Sequence, residues 1–177
     1  MTGSAEPAIS GTMGFATALL TELRARGWTV AIAESLTGGL LTSALVEIPG
    51  SSAGLRGGVI AYDTALKREV LGVDAELLAE RGPVDGEVAA QMADGVRRAL
   101  AVDGEPADVG MATTGIAGPG SPDGQPVGTV WLAIAMPDGV RTERHVFDGD
   151  RAAIRAQSVR RALDFAVAAL GPGVSTA

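Results

Sequence analysis

Ser35 is the first residue in this chain whose type and setting suggest chemistry. A short apolar run, Val30-Ala31-Ile32-Ala33, ends at Glu34-Ser35 and gives way to Thr37-Gly38-Gly39 and a helical pattern. The pattern predicts strand, tight turn, helix. Such a turn lifts a serine out of the strand end, and the free backbone N–H groups that open the next helix can hold an anion or a developing oxyanion. The same residues also suit a plainer role, Ser35 and Thr37 capping the helix and the glycines allowing close packing. Lys67 is the second candidate. Of 14 basic residues 13 are Arg and one is Lys. A lysine can lose its proton on burial, whereas arginine cannot, so Lys67 is a candidate general base for Ser35 or a remnant of an Arg-rich composition. Tyr62, the single tyrosine, precedes it by five positions at the end of an expected strand and either reaches the same pocket or packs.

Composition restricts what else the chain can do. Its 177 residues suit one domain with a full core, and the 46% apolar content with 3% aromatics predicts a core of Ala, Val, Leu and Ile. A net charge of −7 argues against nucleic acid or an anionic membrane as partner. With no Cys and one His, His145, neither a disulfide nor a Cys/His zinc site is expected. His145 lies far in sequence from every motif and reads as structural. Asp148 and Asp150 leave a carboxylate-bound metal as a less favoured alternative. No apolar run is long enough for a membrane span and no secretion signal is evident, so the expected location is the cytoplasm.

The elements that position these residues follow from periodicity. Residues 1–12 read as a disordered tail, 13–171 as one domain and 172–177 as a second tail. Helices are expected from Met13 to Arg26, from Leu40 to Ile48, from Thr64 to Leu71, from Ala75 to Glu80, from the Asp85 cap to Leu100, and after Asp148-Gly149-Asp150-Arg151. Strands are expected at Trp28–Ala33, Gly58–Tyr62, Val109–Thr113, Gly128–Met136 and Val140–Phe147. The last two flank Pro137-Asp138-Gly139 as a hairpin. The fold class is α/β, a single α/β/α domain with a mixed sheet. The loop Thr114-Gly115-Ile116-Ala117-Gly118-Pro119-Gly120 is long, as functional loops are.

Several segments then occur together in a telling order: Ala33-Glu34-Ser35-Leu36-Thr37-Gly38-Gly39, Gly50-Ser51-Ser52, Gly58 to Tyr62 with Lys67, Thr114 to Pro119, Pro126 to Val130, and Gly149-Asp150-Arg151. With them the chain resembles the CinA C-terminal domain family from about Leu19 to Leu170. The resemblance implies a nicotinamide-nucleotide amidohydrolase in pyridine nucleotide salvage, converting nicotinamide mononucleotide and water to nicotinate mononucleotide and ammonia. It implies a serine-amidase mechanism with no cofactor or metal, Ser35 as nucleophile, Lys67 as base, and Tyr62 and Thr114 in the same pocket. It places Arg151 toward the substrate phosphate. Backbone N–H groups at Thr37, Gly38, Gly39 or Gly115 would serve the oxyanion, with Gly115, Gly118 and the helix ends at Gly38 and Arg151 as phosphate contacts. A homo-oligomer, most simply a dimer, is the expected assembly. The N-terminal domain of longer members has no counterpart in these residues, so its activity is not expected. Leu36, Thr64, Gln125 and a loop between Pro119 and Pro126 about one residue short depart from the family pattern, which motivates an alternative: a nucleotide-binding or interaction module of the same fold with weakened catalysis.

Overall fold

The computed structural model describes residues 11–121 and 124–171. In chain order it contains α1 (Gly11–Arg26), β1 (Val30–Glu34), α2 (Leu40–Val46), a 3₁₀ turn (Ser51–Ala53), β2 (Leu55–Ile60), α3 (Thr64–Glu69), α4 (Ala75–Arg81), α5 (Gly86–Ala99), β3 (Val109–Gly115), β4 (Thr129–Met136), β5 (Gly139–Val146) and α6 (Arg151–Leu170). The five strands form one sheet in the order β2-β1-β3-β4-β5. β1 runs parallel to both β2 and β3, whereas β3–β4 and β4–β5 are antiparallel, the latter pair being the expected hairpin.

Side-chain size is sorted by the pleat. Val30, Ile32, Val109, Met111, Val130, Leu132, Ile134 and Met136 face a core shared with α1, α2 and α6. The alternate positions, Ala31, Ala33, Ala112, Ala133 and Ala135, face α5 with Val88, Met92 and Val96. Each fully buried large side chain on the first face stabilises the fold by about 1.5–3 kcal/mol. The alanine face instead lets α5 approach closely: a Cβ at Gly110 would stand 1.8 Å from the carbonyl oxygen of Ala93. A larger residue there would push helix and sheet apart.

Helix starts obey local chemistry. Asp63, Asp74, Asp85 and Asp150 cap α3, α4, α5 and α6, each carboxylate accepting N–H groups of the first turn. α1 begins at Gly11, so the expected tail is shorter by two residues; the remaining tail residues, 1–10 and 172–177, lie outside the described ones. β2 begins at Leu55 and ends at Ile60, earlier than Gly58–Tyr62. Its first residues, Leu55-Arg56-Gly57, lie outside the expected strand, and pairing with buried β1 overrides that local preference. β3 continues through Thr114 and Gly115, taking two residues that the sequence assigned to the loop.

This topology fixes where a site can form. From β1 the chain crosses to β2 on one side and later returns as β3 on the other. Glu34 pairs with Ile60 and with Thr113, so β1 and β2 end side by side while the parallel β3 runs two residues further, to Gly115. Open α/β sheets hold ligands at such a switch point.

Candidate active site

Ser35, Lys67, Tyr62, Thr64, Thr114, Gly115, Gly118 and Arg151 line one cavity of about 270 Å³ at these strand ends, with Pro83, Val84, Ile116, Ala117 and Gly120 completing its wall. Ser35 follows β1 directly. Its N–H donates to the Thr113 carbonyl, 3.0 Å, which continues the β1–β3 ladder by one bond and fixes the residue. Tyr62 and Asp63 carry the chain from β2 into α3. Asp63 accepts the Ala65 N–H at 2.8 Å, which starts the helix so that Lys67 points back under the sheet end.

Lys67 is 1% exposed. Its Nζ lies 2.7 Å from the Ala61 carbonyl oxygen and 3.1 Å from Ser35 Oγ. Burial lowers its pKa from the ordinary 10.5 to about 8, against the opposing pull of the Asp63 carboxylate. An amine of this kind is neutral in an appreciable fraction at neutral pH. Protonated, it donates to both oxygens; neutral, its lone pair can accept the Ser35 hydroxyl proton.

Thr114 Oγ1 donates to the Pro83 carbonyl at 2.6 Å, and Gln125 Nε2 donates to the Val84 carbonyl at 2.8 Å. Thr114 thus ties the Pro83–Val84 wall to β3. Arg151, at the start of α6, donates from one Nη to the Gly118 carbonyl and from the other to the Tyr62 hydroxyl, both at 2.9 Å. Its guanidinium has only these neutral oxygens and no ion pair to a carboxylate among the described residues.

Thr37, Gly38 and Gly39 are not brought to the cavity. Thr37 is fully buried, its Oγ1 hydrogen-bonded to Thr113 Oγ1 at 2.7 Å. The Gly38 N–H donates to the Ser35 carbonyl. The Gly39 N–H goes to Glu34 Oε2 at 2.9 Å, and that carboxylate also accepts from Leu41 N, Thr42 N and Thr42 Oγ1. The protein's own buried Glu34 therefore occupies the Gly39 amide, and the Ser35 carbonyl occupies that of Gly38. At Gly39 the left-handed backbone, φ 96°, that redirects the chain into α2 admits glycine alone without strain.

Gly115 has a different orientation. The Thr113 carbonyl faces β1, whereas the Ile116 N–H donates to Thr129 on the β4 side. Alternation along β3 turns the Gly115 amide toward the β1 side, beyond the last β1 residue and at the Ser35 end of the cavity. His145 stands apart on β5, stacked on Phe147 with ring centroids 5.2 Å apart and hydrogen-bonded to Glu143 at 2.9 Å. Asp150 spends a carboxylate oxygen on the Ala153 N–H.

Sequence reasoning missed Glu34, Pro83, Val84 and Arg155. Glu34 had a signal, a charged residue closing an apolar strand. Pro83 and Val84 had none, because they reach the cavity only through the packing of α4 and α5.

A family model, the CinA C-terminal domain, matches residues 13–170. The chain belongs to that family. A CinA-like protein of Frankia casuarinae is 48% identical over 139 residues, covering 78% of this chain and 31% of its own length. A CinA-like protein of Anaeromyxobacter dehalogenans is 47% identical over 148 residues, 82% of this chain and 35% of the relative. The chain spans about a third of the length of the curated relatives it matches. Among solved structures, a competence-damaged protein (CinA) superfamily protein of Klebsiella pneumoniae superposes with a TM-score of 0.84 at 36% identity, covering 91% of this chain and 98% of that one. The competence/damage inducible protein CihA of Agrobacterium tumefaciens gives 0.82 at 37% identity, covering 93% and 99%. As a CinA-family domain the chain has the family's α/β fold, and among its described residues no helix is long and apolar enough to cross a membrane.

Proposed function

We propose that this CinA-family domain is an amidohydrolase that converts nicotinamide mononucleotide and water to nicotinate mononucleotide and ammonia. The observation that carries the proposal is the buried Lys67 amine, its pKa lowered to about 8, held 3.1 Å from Ser35 Oγ in a cavity. A serine activated by a neutral lysine is a complete nucleophile and base for acyl transfer.

Neutral Lys67 takes the Ser35 proton as Oγ bonds to the carboxamide carbon, and the carbonyl electrons move onto oxygen. The Gly115 N–H supports that oxyanion. The Lys67 ammonium then protonates the amide nitrogen, the C–N bond breaks, and ammonia leaves an acyl ester on Ser35. Water, deprotonated by Lys67, attacks the ester; Ser35 departs with the proton returned, and the product is a carboxylate. Val84, Ile116 and Ala117 supply apolar wall for a pyridine ring. Arg151, whose hydrogen-bond partners among the described residues are neutral, is the cation lining the cavity rim that can meet the phosphate.

The test is ammonia release from nicotinamide mononucleotide, with nicotinamide riboside and free nicotinamide as comparisons. Turnover of the nucleotide with an acyl-enzyme trapped on Ser35 is the expected result. Saturable binding without ammonia would favour the non-catalytic nucleotide-binding module.

A further inference from the structure

Arg155 lies one helical turn beyond Arg151 on α6, so both side chains reach the same side of that helix. Its Nε donates to the Leu36 carbonyl at 2.9 Å and one Nη donates to the Thr37 carbonyl at 3.0 Å. These carbonyls belong to the two residues that follow Ser35. The guanidinium is partly buried, and its only hydrogen-bond partners among the described residues are these two backbone oxygens. Arg155 therefore contributes no ion pair there.

The same turn is held from its other end. The fully buried Glu34 carboxylate accepts four hydrogen bonds from Gly39, Leu41 and Thr42. Two acceptors of the turn are thus held by a cation, and the donors at its exit into α2 by an anion. The intervening segment has Gly38 in the left-handed region at φ 57°, where the backbone has little stiffness of its own. Without a clamp the turn would sample several orientations, and the 3.1 Å contact between Ser35 and Lys67 depends on one of them.

We propose that Arg155 is a positioning residue for the Ser35 nucleophile, acting through the Leu36 and Thr37 carbonyls in concert with Glu34. The planar fork of arginine spans two carbonyls at once, which a lysine ammonium on a flexible stem does not. The inference rests on the amidase reading for its substrate, but its physical content is the reactivity of Ser35.

Two measurements on the full chain test it: ammonia release with nicotinamide mononucleotide, and the rate at which a fluorophosphonate labels Ser35. Arg155→Ala is expected to keep its fold and to lose kcat on the order of 10²-fold, since a misplacement near 1 Å has that effect, with KM unchanged within about threefold. Labelling slows in parallel. The pH midpoint set by Lys67 stays in place, and guanidinium ion below denaturing concentration restores part of the rate to Arg155→Ala but none to Ser35→Ala. Arg155→Lys falls between parent and Arg155→Ala, and it carries the test if Arg155→Ala does not fold. Parental kcat and labelling in the variants would overturn the proposal, as would a loss confined to KM. A parent that labels at Ser35 yet releases no ammonia overturns the substrate reading, and the labelling rates then decide for Arg155. A parent in which Ser35 does not label overturns both.

Discussion

Lys67 Nζ stands 3.1 Å from Ser35 Oγ across 32 positions of sequence, and both groups are almost completely withdrawn from water. Burial deprives the ammonium of hydration, and the Ala61 carbonyl accepts one hydrogen bond from it while a second is directed at Ser35. The pair is built by two parallel strands ending at the same level. Four expectations follow from it and from its rim.

Ser35→Ala should abolish amidase activity, with a fall of at least about 10³-fold, while the fold persists. The residue is small, and its backbone bond to Thr113 does not involve the hydroxyl. Loss of one side-chain hydrogen bond should change stability by about 1 kcal/mol or less. Initial rates and thermal unfolding measured on the same preparation check both parts, and substantial residual turnover would remove Ser35 from the chemistry.

Lys67→Arg should be nearly as damaging as Lys67→Ala. Guanidinium retains charge and hydrogen bonding but cannot accept a proton near neutral pH, so general-base help of roughly 10²–10⁴-fold is lost. In the parent, the rate should rise with pH and level off above about 8, where the buried amine becomes neutral. Rates of the three proteins across pH decide the matter; a parental rate from Lys67→Arg would require another base.

Lys67 should also leave a mark on stability. Its pKa is about 8 when folded and near 10.5 when unfolded, so between those values the unfolded chain binds more protons. Stability from this group therefore increases as pH rises through that window, by about 3 kcal/mol in total, and its cost is present in full below pH 8. Lys67→Met lacks this dependence. Denaturant unfolding of both proteins at pH 7.5 and 10.5 should show the advantage of the Met variant shrinking; a constant difference would mean that the amine is not perturbed.

Arg151→Ala should weaken nicotinamide mononucleotide by roughly 10-fold or more, as expected for loss of a charge-assisted contact, and nicotinamide riboside by far less. The variant also releases the Gly118 carbonyl and the Tyr62 hydroxyl, both neutral and able to meet water. Comparing kcat/KM for the two substrates isolates the phosphate term, and an equal loss on both would assign Arg151 to holding the cavity rim.

Local pattern determined much of this protein. The apolar runs of the strands, the helical periodicities, the Asp85 cap and the glycine turn after Ser35 each act over a few residues, so helices, hairpin and fold class were legible directly. Ser35 and Lys67 were legible as types, one on the turn that closes a strand and one a solitary lysine. Their distance was not, because it depends on β1 and β2 ending at the same level, a register set by pairing and not by either segment. Boundaries slipped where tertiary pairing outweighed local preference, at Leu55-Arg56-Gly57 and at Thr114-Gly115. Tertiary structure alone also decided which donors are available: Glu34 takes the Gly39 N–H and the Ser35 carbonyl takes the Gly38 N–H, while the Thr37 hydroxyl is paired with Thr113 inside the fold. Arg155, 119 positions from Leu36, bonds the turn after Ser35, a contact for which the sequence carried no local signal. Residue type fixes which bonds a group can make, and only the folded chain determines which of them are already made.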